Sequence, residues 1–439
     1  MKHTIDITRY AFAASILFLL TACGGGSSGG GGGGTSAQVF NTDNQIELST
    51  PQLGRNSAGT LHMLAASPVL NAQGGTVTRY GTCTGNCGSA ASWTFITLDA
   101  GVFDDSVKMA VEPGGRVHVV ELLSTKKVVR YATCALSCTA PSSWKAVDIA
   151  MPVNFSNITL PAGRAFALSA NGKPRMLLNA YAGLGPQVML LGCDATCADG
   201  NGWSVNPLVS GKATAASMTP GDPQQAVIAL EQNFAMIFTQ CASQCANVGN
   251  WTQVTLGRAN TTLLSLVSGA NNELHLVFKS SVSVPDDQTI YAHCSGQCAQ
   301  GTSWTFAEVQ RGNAGRGGLD IALSDSGKIA IAQASVINDT QKLTWSHCSG
   351  ACTQSASWIS SQLEMGANVS DPHPAQSGVS CDSPLRFWAV GNAVQMIGTA
   401  QGGFQLSYDA ASYAQCLGIQ PPTSYVSGRY IRLMAQSAP

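Results

Sequence analysis

The stretch Cys134-Ala-Leu-Ser-Cys138-Thr-Ala-Pro-Ser-Ser-Trp144 decides the fold, because its pattern occurs six times along the chain. In each copy three residues separate two cysteines, and a tryptophan follows six residues after the second cysteine. The copies recur about every 50 residues, an interval typical of the blades of a β-propeller. The six copies comprise Cys83, Cys87 and Trp93; Cys134, Cys138 and Trp144; Cys193, Cys197 and Trp203; Cys241, Cys245 and Trp251; Cys294, Cys298 and Trp304; and Cys348, Cys352 and Trp358.

Each repeat also contains four short segments with the character of β-strands. In the second repeat these segments are Ser106–Val111, Val117–Leu122, Val128–Thr133 and Trp144–Ile149, separated by turn-forming residues. No stretch of the chain shows a sustained helical period with capping residues. The sequence therefore predicts an all-β propeller with four strands in each blade.

Residues 370–439 lack the repeated motif but keep strand-like segments and two further cysteines, Cys381 and Cys416. We predict that they form a divergent seventh blade with its own disulfide. On this interpretation residues 37–439 are a single propeller domain of seven blades. A propeller of six blades with a C-terminal extension is the alternative.

Composition limits the classes of function. The 439 residues include 23 Lys and Arg against 24 Asp and Glu, so the formal net charge is −1. This balance argues against nucleic acid as the main partner, because phosphate binding needs a basic surface. The hydrophobic fraction of 44% is sufficient for a packed core and argues against disorder.

The N-terminal residues have the pattern of a targeting signal. A weakly basic start and an apolar run precede Leu20-Thr21-Ala22-Cys23, which resembles the lipobox of bacterial lipoproteins. The resemblance implies that residues 1–22 are a signal peptide, that Cys23 carries a diacylglycerol, and that residues 23–36 are a Gly/Ser-rich flexible tether. Because Gly24 follows the cysteine, it also implies anchoring in the outer membrane, on the periplasmic or the cell-surface side. An ordinary signal peptide with an incidental Cys23 is the alternative.

The repeated cysteines could be disulfides or zinc ligands. Zinc sites normally combine two Cys or His pairs, whereas each pair here lies in a different repeat. An exported chain also enters an oxidising compartment. We therefore predict six disulfides between neighbouring cysteines, no metal and no cofactor.

The repeated turn resembles the Asp-box, or BNR, repeat of sialidase-like propellers. In that family a turn between the third and fourth strands of a blade ends in tryptophan, and Asp199-Gly200-Asn201-Gly202-Trp203 comes nearest to its consensus. The other copies have the cysteine pair in place of the Asp and Gly. Similar Cys-and-Trp repeats occur in uncharacterised bacterial secreted propellers. The resemblance implies the fold and leaves the activity open.

Candidate binding residues lie in loops on the face opposite the cysteine turns. Asp104 and Asp105 could supply an acid, and Arg311 and Arg316 could bind a carboxylate. These four are interpreted mainly as solvated loop charges. The three clustered arginines and the Tyr/Glu pair of a sialidase cannot be placed.

Three histidines, His62, His118 and His275, occupy matching positions on the second strands of their repeats. We interpret them as structural residues that bond a backbone carbonyl. The alternative is a ring of polar residues facing the central channel.

Two classes of function remain. The first is a non-enzymatic surface module that binds a glycan or a protein, or serves as a scaffold. The second is a glycan-active hydrolase or lyase on a degenerate sialidase-like propeller. Paired carboxylates about 5–9 Å apart in the central funnel would favour the enzyme. A neutral polar or aromatic funnel would favour binding.

Overall fold

The structure is a computed structural model, and it describes the chain in segments. The described residues are 38–40, 49–67, 76–85, 87, 90–101, 107–123, 127–152, 155, 157–169, 171–183, 185–221, 224–258, 260–281, 287–311, 317–337, 340–365, 384–400, 402–416 and 424–436. Residues 1–36, which include the predicted signal peptide, Cys23 and the predicted tether, fall outside them. No helix in these segments has the length and apolar character to cross a membrane.

The described chain folds into seven antiparallel sheets, which we number as blades 1 to 7 in chain order. Blade 1 contains β2 (Ser49–Arg55), β3 (Leu61–Ser67), β4 (Thr76–Cys83) and β5 (Trp93–Gly101). Blade 2 contains β6 (Val107–Val111), β7 (Val117–Leu123), β8 (Val128–Cys134) and β9 (Lys145–Ala150). Blade 3 contains β10 (Ile158–Thr159), β11 (Phe166–Leu168), β12 (Pro174–Ala182), β13 (Gly185–Cys193) and β14 (Trp203–Ser210).

Blades 4 to 6 each contain four consecutive strands. Blade 4 contains β15 (Ala213–Met218), β16 (Gln225–Leu230), β17 (Ala235–Cys241) and β18 (Trp251–Arg258). Blade 5 contains β19 (Thr261–Ser268), β20 (Leu274–Ser280), β21 (Gln288–Cys294) and β22 (Trp304–Arg311). Blade 6 contains β23 (Leu319–Leu323), β24 (Ile329–Ile337), β25 (Thr340–Cys348) and β26 (Trp358–Met365).

Blade 7 closes the ring. It contains β27 (Pro384–Gly398), β28 (Phe404–Cys416) and β29 (Ser424–Gln436), and its outermost strand is β1 (Gln38–Phe40) from the N-terminal end of the chain. The innermost strands contact one another in sequence around the ring, and β27 contacts β2. The prediction of seven blades is confirmed, and the alternative of six blades is wrong. The fourth strand of blade 7 nevertheless comes from outside the tail, because pairing β1 with β29 joins the two ends of the domain.

The spacing of the repeated motif has a simple geometric cause. In all six copies the indole Nε1 of the tryptophan donates a hydrogen bond of 2.9–3.0 Å to the carbonyl of the second cysteine. The six predicted disulfides are present, with Cα–Cα distances of 5.5–5.7 Å. Each turn is therefore closed twice, once by the disulfide and once by the indole. The predicted partner pair Cys381 and Cys416 is not tested, because Cys381 lies outside the described residues.

The tryptophans also join neighbouring blades. Trp144 lies edge-on to Tyr80 of the preceding blade, with ring centroids 5.0 Å apart, and Trp358 lies at 5.0 Å from Tyr291. In blades 1, 2, 4 and 5 the aromatic residue three positions before the first cysteine is thus in contact with the tryptophan of the next blade. Blade 7 lacks this tryptophan, and there Phe404 packs at 5.2 Å against Trp345 of blade 6. The core consequently lies between the blades as a series of similar apolar layers.

Candidate functional site

The axis of the propeller is lined by side chains of the innermost strands, and several of them are polar. Ser217 on β15, Ser265 on β19 and Asp320 on β23 are buried, as is Gln52 on β2. These groups bond across blade boundaries. For example, the Ser217 hydroxyl accepts a 3.0 Å hydrogen bond from the backbone N–H of Leu266 in the next blade.

Arg164 crosses this axis. It lies between β10 and β11 of blade 3, yet its Nη2 donates to Asp320 Oδ2 of blade 6 at 2.7 Å. The same nitrogen donates to the carbonyls of Ile321 and Met396, both at 3.1 Å. Met396 belongs to blade 7. Because blades 6 and 7 lie opposite blade 3 in a ring of seven, the guanidinium joins blades on opposite sides of the ring.

Asp320 has no free oxygen. Its Oδ1 accepts from the Ser265 hydroxyl at 2.6 Å, and its Oδ2 accepts from Arg164 and from the backbone N–H of Met396 at 2.8 Å. The residue is only 2% exposed. A carboxylate held in this way neutralises a buried cation and links three blades. It is not available to take a proton from a substrate or to attack one.

Gly163 allows the segment before β11 to enter the channel. Its φ is +96°, and a Cβ built on it would lie 2.7 Å from the carbonyl oxygens of Ala216 and Leu264. These carbonyls belong to the innermost strands of blades 4 and 5. Only glycine combines the left-handed backbone with so close an approach. Arg164 can reach across the axis because its neighbour has no side chain.

A second polar group joins blades 7 and 1 near the axis. The Gln395 side chain accepts from the backbone N–H of Leu53 at 3.0 Å and donates to Gln52 Oε1 at 3.1 Å. The described channel thus contains amides, hydroxyls and a neutralised ion pair. Within the described segments Asp320 has no second carboxylate beside it at the axis.

The three predicted histidines do not face the channel. Each is buried on a second strand, and its Nδ1 shares a hydrogen bond with a tyrosine hydroxyl of the third strand: 2.7 Å for His62 and Tyr80, 2.6 Å for His118 and Tyr131, and 2.7 Å for His275 and Tyr291. The predicted structural role is retained, but the partner is a tyrosine and not a backbone carbonyl. Burial lowers the pKa of His62 and of His275 to about 4, so both imidazoles are neutral near pH 7.

Only one of the four predicted loop charges, Arg311, lies among the described residues. Asp104, Asp105 and Arg316 lie outside the described residues. Arg311 ends β22 and is exposed, and its guanidinium bonds Glu308 of the same strand at 2.6 and 3.0 Å. This pair is a solvated surface contact, as interpreted from the sequence.

Arg164 and Asp320 were missed at the sequence level, although one signal pointed to the region. The interval between the first cysteines is longest between Cys134 and Cys193. The extra residues supply β10 and the segment that enters the channel. Nothing in the sequence around Asp320 marks it as the partner of Arg164.

A buried lysine lies between blades 5 and 6. Lys279 on β20 donates from Nζ to the carbonyl of Ala334 at 2.8 Å and to that of Gly317 at 3.3 Å. Burial lowers its pKa to about 8, with the charge of Asp287 acting in the opposite direction. The lysine therefore links two neighbouring blades. It lies near the end of β20, on the side of the propeller where the candidate binding loops begin.

Comparison with known proteins identifies the fold alone. No protein-family model matches the chain, and no curated protein matches it. Among solved structures, the chain is similar to a Dyadobacter fermentans protein of unknown function at 10% identity and a TM-score of 0.48, over 92% of this chain and 99% of the other. It is also similar to AofleA from Arthrobotrys oligospora at 10% identity and a TM-score of 0.44, over 72% and 87% of the two chains. An intramolecular trans-sialidase from Ruminococcus gnavus matches at 9% identity and a TM-score of 0.39, over 91% and 97%. Likeness at this level concerns the propeller fold and carries no information about a ligand.

Proposed function

We propose that this protein is an exported, lipid-anchored propeller that binds a glycan or a protein on the face opposite its disulfide turns. The observation that carries the proposal is the state of the channel. Its described carboxylate, Asp320, has every oxygen engaged by Arg164, Ser265 and a backbone N–H. Glycoside hydrolysis by the common mechanisms needs two carboxyl groups free to act on the substrate. In the described channel these polar groups bond one another across blades and have a structural role.

The repeats support the same division of roles. One face carries six nearly identical turns, each closed by a disulfide and an indole hydrogen bond. The loops on the other face differ in length and sequence from blade to blade. A rigid scaffold that presents variable loops is the usual arrangement in a binding protein.

The test compares the two faces. Full-length protein in detergent would be applied to a glycan array. In parallel, the protein would be cross-linked to its neighbours in the envelope of the cells that produce it. Replacing residues 282–286 by a short Gly/Ser linker should abolish capture and leave the thermal unfolding temperature nearly unchanged. The matched control is Leu136→Ser, which alters an 80% exposed side chain in a disulfide turn on the opposite face.

Two outcomes would contradict the proposal. Capture kept by the loop variant and lost in Leu136→Ser would show that the disulfide face is the binding face. Turnover of a glycan by the wild-type protein, lost when Asp104 and Asp105 are both replaced by Asn, would establish the hydrolase or lyase.

The anchor is proposed from the lipobox, and it has a separate test. Intact-mass analysis of protein extracted from membranes should show an acylated Cys23. Cys23→Ser should release the protein from the membrane fraction. Membrane retention of this variant would contradict a lipid anchor and leave the binding proposal untouched.

A further inference from the structure

Three side chains with metal-binding atoms converge on the disulfide face of blade 5. Glu273 Oε2 lies 3.9 Å from the Nε2 of His275 and 3.9 Å from the Nε2 of His293. All three ligand atoms lie within 4.8 Å of one another. The cysteine pair beside them is in a disulfide and is not involved. The donor set is two imidazoles and one carboxylate.

The fold places these residues together by strand register. His275 on β20 and His293 on β21 are directly opposite in the antiparallel ladder, and their ring centroids are 5.1 Å apart. Glu273 ends the turn that leads into β20. That turn contains Asn271 and Asn272 in the left-handed region, at φ of +57° and +62°. The turn carries the carboxylate back over the two rings.

His275 presents an unused ligand atom. The residue is 4% exposed, and its Nε2 is buried without a hydrogen-bond partner. Its Nδ1 is bound to the Tyr291 hydroxyl at 2.7 Å. When Nδ1 carries the proton and donates it to the tyrosine oxygen, the Nε2 lone pair points toward Glu273 and His293. Histidine ligands of metals characteristically have their second nitrogen held in this way.

The other blades serve as internal comparisons, because the repeat places equivalent residues at the same two ladder positions. His62 faces Thr82 in blade 1, and His118 faces Thr133 in blade 2. In blade 2 the Nε2 of His118 bonds Glu112 directly at 2.8 Å. In blade 6 only the third strand has a histidine at these positions: His347 faces Ala330 of the second strand.

His62 shows that an unpartnered Nε2 is not a site by itself, since no second histidine stands opposite it. Within the described residues, only blade 5 combines both histidines with a carboxylate.

We infer that Glu273, His275 and His293 form a binding site for a divalent transition metal, with zinc as the ion that suits these ligands best. Imidazole nitrogen and carboxylate oxygen are common zinc ligands, and tetrahedral bonds of about 2.1 Å place ligand atoms about 3.4 Å apart. The carboxylate therefore needs to approach each nitrogen by about 0.5 Å, a small rotation for a half-exposed side chain. Three protein ligands leave a fourth position open toward solvent beside Glu273, which is 40% exposed.

The pocket also leaves space for an ion. The Cβ of a residue larger than Gly269 would lie 2.7 Å from His275 Nε2, so the glycine leaves room at the ligand atom. The site lies on the face opposite the proposed binding loops, so its test is independent of the proposed function.

The test titrates full-length, disulfide-bonded protein in detergent, stripped of metal, with cobalt(II) and then with competing zinc. Wild type should bind one ion per chain and show the visible absorption of four-coordinate cobalt. His293→Thr, which installs the residue found in blades 1 and 2, should weaken binding by more than about 100-fold, because a ligand itself is lost. Tyr291→Phe should weaken it less, by about 10-fold, because the imidazole loses its orienting partner.

The matched control is His347→Thr, the same repeat position in blade 6, which should leave binding unchanged. Glu273→Gln provides a second ligand variant on an exposed turn, in case His293→Thr does not fold. Failure of folded wild type to bind cobalt or zinc would overturn the inference. Stoichiometric binding that survives both His293→Thr and Glu273→Gln would overturn it as well.

Discussion

Arg164 and Asp320 meet across the axis of the propeller at 2.7 Å, although 156 residues separate them in the chain. One belongs to blade 3 and the other to blade 6, and the backbone of blade 7 bonds both. A blade in a propeller normally contacts only its two neighbours. This pair makes distant blades depend on one another.

Removing one member of this pair should be strongly destabilising. Arg164→Met leaves Asp320 buried without its cation, and the loss of a partner in a buried pair costs about 3–5 kcal/mol. Asp320→Asn should have a comparable effect, and the double variant should cost less than the sum. Chemical denaturation would measure these changes. Arg311→Gln, in the exposed pair with Glu308, is the control and should cost no more than about 1 kcal/mol.

Gly163→Ala should be destabilising for a reason that involves the backbone. The new methyl group would meet two carbonyl oxygens at 2.7 Å while φ is +96°. Both effects displace the segment that carries Arg164, so the cost should approach that of Arg164→Met. Gly59→Ala is the comparison, because Gly59 has φ of +83° but open space around its Cβ position. Equal destabilisation by the two substitutions would show that the close approach is unimportant.

The buried histidines should make stability depend on pH. Burial lowers the pKa of His62 to about 4 in the folded protein from its ordinary value of 6.5, so the unfolded chain binds a proton first as the pH falls. Stability should therefore fall as the pH decreases from about 6.5 to about 4, by at most about 3 kcal/mol for this group. His62→Gln should reduce the difference between unfolding free energies measured at about pH 7 and about pH 4.5. An unchanged pH difference would show that His62 titrates normally in the fold.

Peptide mapping under non-reducing conditions tests the remaining cysteines. Six peptides should contain the neighbouring pairs, and a seventh linkage should join Cys381 to Cys416. The backbone of Cys416 pairs with Pro384, three residues after Cys381. A free thiol at either position after denaturation in an alkylating reagent would contradict the seventh disulfide.

The repeat was readable because its causes are local. A disulfide across three residues and an indole that reaches back six residues operate within a single turn, so each copy carries the whole signal. The pattern therefore predicted the blades, their number of strands and the six disulfides. The identity of the strand that closes blade 7 was not predictable, because β1 is only three residues long and pairs with β29 at the far end of the chain.

The roles of the histidines could be predicted only in part from the sequence. Their matching positions indicated a shared structural role, but the tyrosine partners follow from the register between the second and third strands. In the sequence, His293 is marked only as the residue before Cys294. Its position opposite His275, and the turn that brings Glu273 to both, became visible with the ladder in place.

The architecture of this protein could be predicted from its sequence, because the residues that build each of blades 1 to 6 are neighbours along the chain and carry the same motif. The tertiary structure alone decided what stands at the axis and at the disulfide face of blade 5. Closing seven blades into a ring brings Arg164 to Asp320, and pairing two strands brings His275 to His293. Neither contact could be predicted from a repeating pattern in the sequence, because each occurs only once. Each depends on the geometry of strands and blades that the repeat forms.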